Sequence, residues 1–386
     1  MRSRRLLRVL TLTTAALLAV TSCGNDDAPT ASSSDVSSST AASGPSASPA
    51  SSTAAKASGT LVLSWAGDNI LGTDEKFGGL TLPAAWAQSG KDPDYFFQNV
   101  KKYFAADDLT IANFEVALTS SRKKRDKGGG EVYHFYGEPA VAKTLTAGGI
   151  EVVTIANNHT WDYGRKGFTD TVEALDEAGV QYVGAGNPGY DGSDFDHPLI
   201  RDVKGVGIGL LSYQTWEDTP AIRKQVRGDI KKLRAQGADV VIPYFHWGIE
   251  AVHEPYEVQR ALARVAIDAG ADAVIGTHPH VLQSMDVYKG RLIAYSLGNF
   301  SFGGNTNPSD KRTMILQTRL TVKDGKVDGV DYRIIPTRLS RTEAYNDYVP
   351  TPYGRAEARQ VVAFMNQISP SLDGTVSQRF TPVPQR

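Results

Sequence analysis

Apolar runs alternate with stretches of helix-forming composition from Thr60 onward. Six runs have the length and continuity of buried strands: Leu61–Ala66, Leu109–Ala112, Val152–Ala156, Val206–Leu211, Val240–Tyr244 and Ala273–Ile275. Helices are predicted between them at Ala140–Ala147, Lys166–Ala178, Ala221–Gln236 and Tyr256–Ala269. These helices are followed by glycines at which a left-handed C-terminal cap is expected, namely Gly148, Gly179, Gly237 and Gly270. The alternation predicts an α/β fold.

The pattern changes after Ser301, where a β-hairpin is predicted to close the domain. Its strands are Thr313–Val322 and Val330–Pro336, and its turn is Lys323-Asp324-Gly325-Lys326. A surface helix is predicted at Tyr353–Ile368, and the Pro-rich segment after Ser369 is expected to fray. We therefore divide this part of the chain into a main domain, residues 59–340, and a C-terminal helix and tail, residues 341–386.

The N-terminal segment has the composition of an export signal. Four arginines precede the apolar run Val9–Val20, which is too short to cross a bilayer as a mature helix but suits a signal peptide over residues 1–22. The run ends in Val20-Thr21-Ser22-Cys23, which resembles a bacterial lipobox, and Cys23 is the only cysteine of the chain. We predict that Cys23 is lipidated, which would place the protein on the extracellular face of the cell membrane; an ordinary cleaved signal is the alternative.

Composition sets the remaining limits. Residues 23–58 are mostly Ser, Ala, Thr and Pro without an aromatic residue, which predicts a disordered tether behind the lipidated cysteine. The 386 residues contain 41 basic and 42 acidic residues, a formal net charge of −1. This balance gives no indication of nucleic-acid binding. With a single cysteine, no disulfide can form within the chain, so stability must come from an ordinary core.

Candidate chemistry lies in five short polar motifs, each at the end of an apolar run. They are Gly67-Asp68, Asn113-Phe114-Glu115, Asn157-Asn158-His159, His246-Trp247-Gly248 and His278-Pro279-His280. Carboxylates, amides and imidazoles are the usual ligands of borderline divalent ions, and strand ends of an open sheet can bring them together. Any single motif is compatible with a polar turn or a structural histidine, but the five together predict a metal site that serves metal-assisted hydrolysis.

Two further features bear on this site. Asp162 follows His159 closely enough to orient its ring and raise its basicity. The stretch from Arg122 to Gly130 is rich in Lys and Arg and follows Glu115 closely. It is interpreted either as a basic loop over the site with a polyanion as its partner, or as a solvated loop.

These residues carry a resemblance to the bacterial capsule synthesis protein family, the CapA or PgsA family of poly-γ-glutamate synthesis, a branch of the calcineurin-like metallophosphatase superfamily. The resemblance covers roughly Gly59 to Phe302. Its carriers are the five motifs with their neighbours, including Asp162, Gly164, Glu250 and the segment Tyr295-Ser296-Leu297-Gly298-Asn299-Phe300. The general metallophosphatase pattern begins with an Asp-x-His pair, whereas Ile70 stands at the third position here.

The resemblance implies a metallophosphatase-like α/β sandwich of two facing β-sheets flanked by helices, with the active site at the strand ends. It implies one or two divalent ions (Mn, Zn, Fe or Mg) held by Asp68, Glu115, Asn158, His246, His278 and His280. His159 would be the catalytic donor, with Asp162 as its catalytic partner. Residues expected to line the substrate are Asn69, Asn113, Asn157, Trp247, Glu250 and Asn299.

The resulting functional prediction is a surface lipoprotein that acts as a metal-dependent hydrolase in synthesis, release or remodelling of an anionic capsule polymer. Poly-γ-glutamate is the polymer associated with the family. Expected partners are this polymer, subunits of a membrane synthase, and the membrane through the lipid anchor. Two alternatives stay open: a non-catalytic, metal-containing binding or assembly subunit of a membrane synthase, and a cell-surface metallophosphoesterase acting on a phosphorylated wall component.

Overall fold

A computed structural model describes residues 57–130, 132–185 and 197–385. Its strands are β1 (Gly59–Ile70), β2 (Leu109–Phe114), β3 (Ala117–Leu118), β4 (Tyr136–Gly137), β5 (Val152–Thr154), β6 (Gln181–Val183), β7 (Leu199–Val203), β8 (Val206–Gln214), β9 (Val240–His246), β10 (Ala273–Thr277), β11 (Met285–Tyr288), β12 (Arg291–Ala294), β13 (Asn299–Phe302), β14 (Arg312–Lys323), β15 (Lys326–Arg338), β16 (Thr351–Pro352) and β17 (Thr381–Pro382). Its helices are α1 (Leu82–Gln88), α2 (Lys101–Phe104), α3 (Lys143–Gly148), α4 (Gly164–Glu177), α5 (Pro220–Ala235), α6 (Glu257–Asp268) and α7 (Arg355–Ile368). The predicted signal peptide, Cys23 and the tether up to residue 56 lie outside the described residues.

The first sheet has the strand order β16-β15-β14-β1-β2-β5-β6. Strands β1, β2, β5 and β6 are parallel, β14 and β15 are antiparallel to their neighbours, and β13 pairs in parallel with the end of β1. The predicted hairpin is therefore confirmed. Its first strand, β14, pairs with β1 at the edge opposite β2, from Gly59 to Trp65.

The second sheet has the strand order β11-β12-β10-β9-β8-β7, with β12, β10, β9 and β8 parallel. All six strands predicted from the sequence are present in the two sheets. Strands β1, β2 and β9 are longer than predicted, because they continue into the polar motifs and end at Ile70, Phe114 and His246. Asp68, Asn113 and His246 thus lie within strands, whereas Glu115 and the motifs at residues 157–159 and 278–280 follow the ends of β2, β5 and β10.

The two sheets face one another across a shared apolar core. Buried side chains of β1, β2 and β5 meet those of β8, β9 and β10, and the Tyr244 hydroxyl donates to the Ala66 carbonyl across the interface at 2.7 Å. Helices α1 to α4 cover the outer face of the first sheet through residues such as Phe104 and Leu175. Helices α5 and α6 cover the second sheet through residues such as Ile230 and Leu262. The predicted α/β fold of two facing sheets flanked by helices is confirmed.

Two sequence expectations differ from the structure. Gly149, not Gly148, has the left-handed backbone at the end of α3, with φ of 85°; Gly148 lies inside the helix. The segment after Ser369 does not fray, because its apolar residues Leu372, Val376 and Val383 are buried in the core beside α7. None of the helices among the described residues has the length and apolarity needed to span a bilayer.

Candidate metal site

The carboxyl ends of the parallel strands bring the polar motifs together. Asp68 lies near the end of β1, opposite Asn113 of β2 on one side and Asn299 of β13 on the other. Glu115 follows β2, and His246 is the last residue of β9. The carboxyl ends of parallel strands share one edge of a sheet, which is where ligands bind in open α/β folds. Residues far apart in sequence therefore meet at one edge of the sandwich.

Glu115 is the most unusual group of this cluster. It is fully buried, and neither carboxylate oxygen accepts a hydrogen bond from any described residue. Its Oε1 lies 3.4 Å from His246 Nε2. Burial acts to raise the pKa of Glu115, but the imidazoles of His246 and His280 outweigh it and hold the pKa well below its usual range. A buried carboxylate without hydrogen-bond donors is the environment that a bound cation would stabilise.

His246 presents one ring nitrogen to the cluster and has the other engaged. Its Nδ1 lies 3.3 Å from the Thr277 hydroxyl and 3.4 Å from the amide nitrogen of Asn113. Its Nε2 lies 2.6 Å from Asn158 Oδ1 and 3.1 Å from His278 Nδ1. Together with the Glu115 carboxylate, these groups form a set of nitrogen and oxygen donors that suits a borderline divalent ion.

The His278-Pro279-His280 loop has a strained backbone. Its two histidines have φ of 99° and 58°, in a region that non-glycine residues rarely adopt. The backbone N–H of His278 donates to Asp68 Oδ2 at 3.2 Å, and His280 Nδ1 lies 2.9 Å from Asn299 Oδ1 and 3.3 Å from Asp68 Oδ2. Such strain persists where the surrounding structure holds it, commonly at functional sites.

The two histidines of this loop differ in their protonation. Burial lowers the pKa of His278 well below its usual value, and the neighbouring imidazoles of His246 and His280 add to this effect. Burial also acts to lower the pKa of His280, but the carboxylates of Glu115 and Asp68 outweigh it and raise this pKa to about 9. His278 is therefore neutral at pH 7 and has a free electron pair for a cation, whereas His280 carries a proton that a cation would displace.

The donor atoms form two overlapping triads. One consists of Glu115, His278 and His280, and the other of Asp68, Glu115 and His246; within each, the ligand atoms lie within 4.8 Å of one another. Glu115 belongs to both triads. These donors fit a divalent ion in chemistry and spacing, and the shared carboxylate would allow either one or two ions.

Asp68 is positioned by a close approach of two backbone segments. Its N–H donates to the Gly298 carbonyl at 3.0 Å. A side chain at the preceding residue, Gly67, would place its Cβ 1.8 Å from that same carbonyl oxygen. Glycine is therefore required at Gly67 for β1 and the segment before β13 to meet.

His159 and Asp162 form a hydrogen-bonded pair beside the triads. His159 Nδ1 lies 2.6 Å from Asp162 Oδ2, and His159 Nε2 lies 3.9 Å from Glu115 Oε1. Asp162 also accepts the backbone N–H of Phe135 at 2.7 Å and is ion-paired through Oδ1 to Lys127. The ring of His159 is thus fixed, with Nε2 directed toward the candidate metal ligands.

Three residues expected to line the substrate use their side chains in contacts within the protein. Asn69 uses its side chain to bond the backbone of Gly67, Asn113 and Ser301. Asn157 Oδ1 accepts the backbone N–H groups of the turn after β5, and Trp247 is fully buried with its indole N–H donating to the Tyr295 carbonyl at 3.0 Å.

The other residues of that group lie closer to the ligands. Asn113 donates to Asp68 Oδ1 at 2.7 Å, and Asn299 bonds His280, so both hold candidate ligands in place and are buried. Glu250 is exposed and helps to raise the pKa of His280. Of the residues expected to line the substrate, Glu250 alone is open to solvent.

Sequence reasoning missed two residues that contact the site, Thr277 and Trp216, and named a third, Lys127, only as part of the basic loop. Thr277, the last residue of β10, bonds His246, and its position directly before His278 was the available signal. Lys127 lies in the basic loop, and its Nζ is 3.3 Å from His159 Nδ1. The ring of Trp216 lies 4.5 Å from that of His278. Nothing in the sequence near Trp216 indicates this contact, since the residue lies in a loop two residues after the end of β8.

Comparisons with known proteins identify the family of this chain. Residues 62–304, more than half of the chain, match the family described as "Bacterial capsule synthesis protein PGA_cap". The chain is similar to "Capsule biosynthesis protein CapA" of Bacillus anthracis, with 36% identity over 224 residues, 54% of this chain and 54% of that protein. It is also similar to "PGA biosynthesis protein CapA" of Bacillus subtilis, with 34% identity over 224 residues, 55% of this chain and 58% of that protein. The chain thus spans little more than half the length of these relatives.

A solved structure with similarity to this chain is the 5'-nucleotidase precursor from Thermus thermophilus. The TM-score is 0.42 at 14% identity, covering 81% of this chain and 60% of that one. NAD nucleotidase of Haemophilus influenzae gives a TM-score of 0.41 at 12% identity, covering 81% of this chain and 63% of that one.

Proposed function

Because the chain belongs to the bacterial capsule synthesis protein family PGA_cap, we propose that it is a metal-dependent hydrolase acting on an anionic polymer of the cell surface. Its relatives in two Bacillus species are named as capsule and PGA biosynthesis proteins. A polymer of that chemical class, poly-γ-glutamate or a close analogue, is the proposed substrate. The reaction would serve synthesis, release or remodelling of the polymer.

The observation that carries this proposal is the state of Glu115. A carboxylate that is fully buried without a hydrogen-bond donor among the described residues, yet surrounded by imidazoles, is costly unless a cation binds there. The ion would be held by the side chains named from the sequence, namely Asp68, Glu115, Asn158, His246, His278 and His280. When bound, a divalent ion supplies Lewis acidity and a water activated at neutral pH.

His159 supplies the proton chemistry in this proposal. Its Nδ1 donates to Asp162 Oδ2, which fixes the ring and leaves Nε2 facing the ligands. From there, Nε2 can give a proton to a leaving group that departs from the site. Asp162 orients the ring and offsets its charge when it is protonated. Lys127 pairs with the second oxygen of Asp162 and so holds that carboxylate in place.

We also propose that the protein acts outside the cytoplasm, held to the membrane through lipidated Cys23. The support is the sequence of residues 1–23, together with capsule-related relatives. In this arrangement, subunits of a membrane synthase are the expected protein partners. Mass spectrometry of the mature N-terminus would test the anchor: a diacylated Cys23 is expected, and a free N-terminus beyond it would contradict the anchor.

The central test is elemental analysis of the mature chain beside a variant with both His246→Ala and His280→Ala. A matched control is His197→Ala, which changes a histidine outside the cluster. We expect stoichiometric metal in the wild type and the control, and its loss in the double variant. Size analysis of poly-γ-glutamate incubated with each protein then tests cleavage, with a phosphodiester substrate run in parallel.

The outcomes of that test separate the alternatives. Metal-dependent shortening of the polymer supports the proposed hydrolase. Metal and polymer binding without turnover would favour a binding or assembly subunit. Hydrolysis of the phosphodiester alone would favour a surface phosphoesterase. Absence of metal after reconstitution with Mn²⁺ and Zn²⁺ would reject the metal site itself.

A further inference from the structure

Trp216 has an unusual place among the tryptophans of this chain. The sequence contains five tryptophans, and the side chains of four are buried, with at most 4% exposure. Trp216 is 42% exposed, although its ring lies 4.5 Å from the ring of His278. Its indole N–H has no acceptor among the described residues, while its backbone carbonyl accepts the Tyr256 hydroxyl at 2.9 Å. The backbone of Trp216 is thus held, while part of its ring and its N–H donor remain available.

Two more exposed apolar side chains lie on the neighbouring loop after β9. Ile249 is 52% exposed and Val252 is 38% exposed. The loop is tied to the His278-Pro279-His280 segment, because the Ala251 N–H donates to the Pro279 carbonyl at 2.8 Å. We call Trp216, Ile249 and Val252 the apolar rim. Exposed apolar side chains gathered beside a polar cluster indicate a binding surface more often than scattered ones do.

A basic loop borders the same cluster on the side of the first sheet. We call residues Arg122 to Lys127 the basic rim. Arg122 and Lys123 are exposed, and Lys123 has no ion-pair partner among the described residues. The loop is held at the site by Lys127, whose Nζ contacts Asp162 and His159. Arg122 and Lys123 therefore belong to a loop that Lys127 holds at the site, whereas Lys124 and Lys127 are ion-paired to Glu75 and Asp162.

The two rims are connected by an unbroken row of contacts through the candidate metal site. The row runs from Lys127 to His159 (3.3 Å), Glu115 (3.9 Å), His246 (3.4 Å), His278 (3.1 Å) and the ring of Trp216 (4.5 Å). A chain molecule lying over the reactive centre would therefore meet cations on one side and apolar surface on the other. The substrate that matches both must carry regularly spaced anions on an aliphatic backbone.

We propose that Trp216 is a specificity-determining residue that packs against the aliphatic main chain of a polycarboxylate, while the basic rim holds its carboxylates. A γ-linked glutamate chain has this chemistry, since each repeat carries two main-chain methylenes, one carboxylate and an amide that can accept the indole N–H. This inference rests on the proposed function and deepens it. A polyanion without methylenes, such as polyphosphate, satisfies the basic rim alone and is discriminated against by Trp216.

The experiment uses the intrinsic fluorescence of the full mature protein. Because Trp216 is the exposed tryptophan, the neutral quencher acrylamide reports on it selectively. The wild type, Trp216→Phe and Trp216→Ala are titrated with poly-γ-glutamate and separately with polyphosphate, and binding is measured in parallel by equilibrium dialysis. Tyr345→Ala serves as the matched control, since Tyr345 is 51% exposed on the loop after β15. Metal content is measured in every sample.

In the wild type, we expect poly-γ-glutamate to protect the fluorescence of Trp216 from quenching by acrylamide. Polyphosphate should give little protection at equal saturation. Trp216→Ala should bind poly-γ-glutamate about tenfold more weakly, with Trp216→Phe between the two and metal content unchanged. The role of Trp216 would be overturned if poly-γ-glutamate bound the wild type without protecting Trp216 and bound Trp216→Ala equally well. That outcome would leave the proposed hydrolase intact. Failure of the wild type to bind any poly-γ-glutamate would overturn both.

Discussion

The substitution Glu115→Gln tests the candidate metal site most directly. It keeps the size of the side chain and removes the charge that both ligand triads share. Because Glu115 has no hydrogen-bond donor to lose among the described residues, the variant changes little in the metal-free fold apart from its charge. The substitution should therefore act mainly by reducing the stabilisation of the folded state by a bound ion.

The magnitude follows from linkage between binding and folding. An ion present at a hundred times its dissociation constant stabilises the folded state by about 2.7 kcal/mol. Loss of the shared carboxylate should weaken binding by at least about a hundredfold, more than the loss of a group that only orients a ligand. At the same ion concentration, the stabilisation then falls to about 0.4 kcal/mol. For a domain of this size, the metal-induced rise in Tm should shrink from about 5 °C to about 1 °C.

The assay is thermal unfolding after EDTA treatment and dialysis, with and without Mn²⁺ or Zn²⁺, for the wild type and Glu115→Gln. Comparing only the metal-induced change in Tm removes any difference between the metal-free proteins. Asp107→Asn is the matched control, because it also converts a carboxylate to an amide but lies before β2, at the opposite end of that strand from Glu115. A full metal-induced shift in Glu115→Gln would refute the assignment of Glu115 as a ligand.

Three further predictions concern groups around the site and the core. Lys127→Met should lower the free energy of unfolding, measured in urea, by about 3 kcal/mol, because it leaves the buried carboxylate of Asp162 without its cation. Lys127→Arg should recover part of this loss. Equal stability of the wild type and both variants would contradict the ion pair. Gly67→Ala should destabilise by more than about 4 kcal/mol, since its Cβ would lie 1.8 Å from the Gly298 carbonyl oxygen; an unchanged Tm would exclude this close approach. Burial raises the pKa of Asp107 from 3.8 to about 7, so the folded state binds this proton more tightly, and its stability contribution is present below about pH 4 and lost as the pH rises through 7. Linkage converts this pKa shift to about 4 kcal/mol, and solvent screening of this partly exposed carboxyl reduces it to on the order of 2 kcal/mol. Asp107→Asn should remove that much of the pH dependence between pH 4 and pH 8, measured by urea unfolding, and an unchanged pH dependence would contradict the prediction.

The strands and their polar ends could be predicted from the sequence because both signals are local. A continuous apolar run predicts a strand buried on both faces, and parallel strands of one sheet end at one edge. Asp68 and Glu115, at the ends of β1 and β2 of the first sheet, could be grouped on that basis. His246 ends β9 of the second sheet, and it joins them because the two sheets face one another. Each motif lies at the end of its own strand, so the motifs can be identified without knowing which strands pair.

The sequence is a poorer guide to which neighbouring side chains face the site. Trp247 follows His246 directly, but successive strand residues point to opposite faces, so Trp247 stacks on Phe245 at 4.3 Å in the core beneath α6. Asn157 and Asn158 are adjacent asparagines, yet Asn157 bonds its own turn and Asn158 bonds His246. Trp216 reaches His278 through a contact between two loops that are distant in sequence, and no local pattern encodes it.

The two carboxylates of the site differ in a way that assigns them different tasks. Asp68 has one oxygen bonded by the Asn113 amide, and its other oxygen accepts the His278 N–H and lies 3.3 Å from His280 Nδ1. It therefore holds the loop of the two histidines whether or not an ion is bound. Glu115 has no such bonds among the described residues, so its charge is available to a cation. Loss of Asp68 should accordingly disturb the geometry of the site and its stability, whereas loss of the Glu115 charge should act on affinity for the ion.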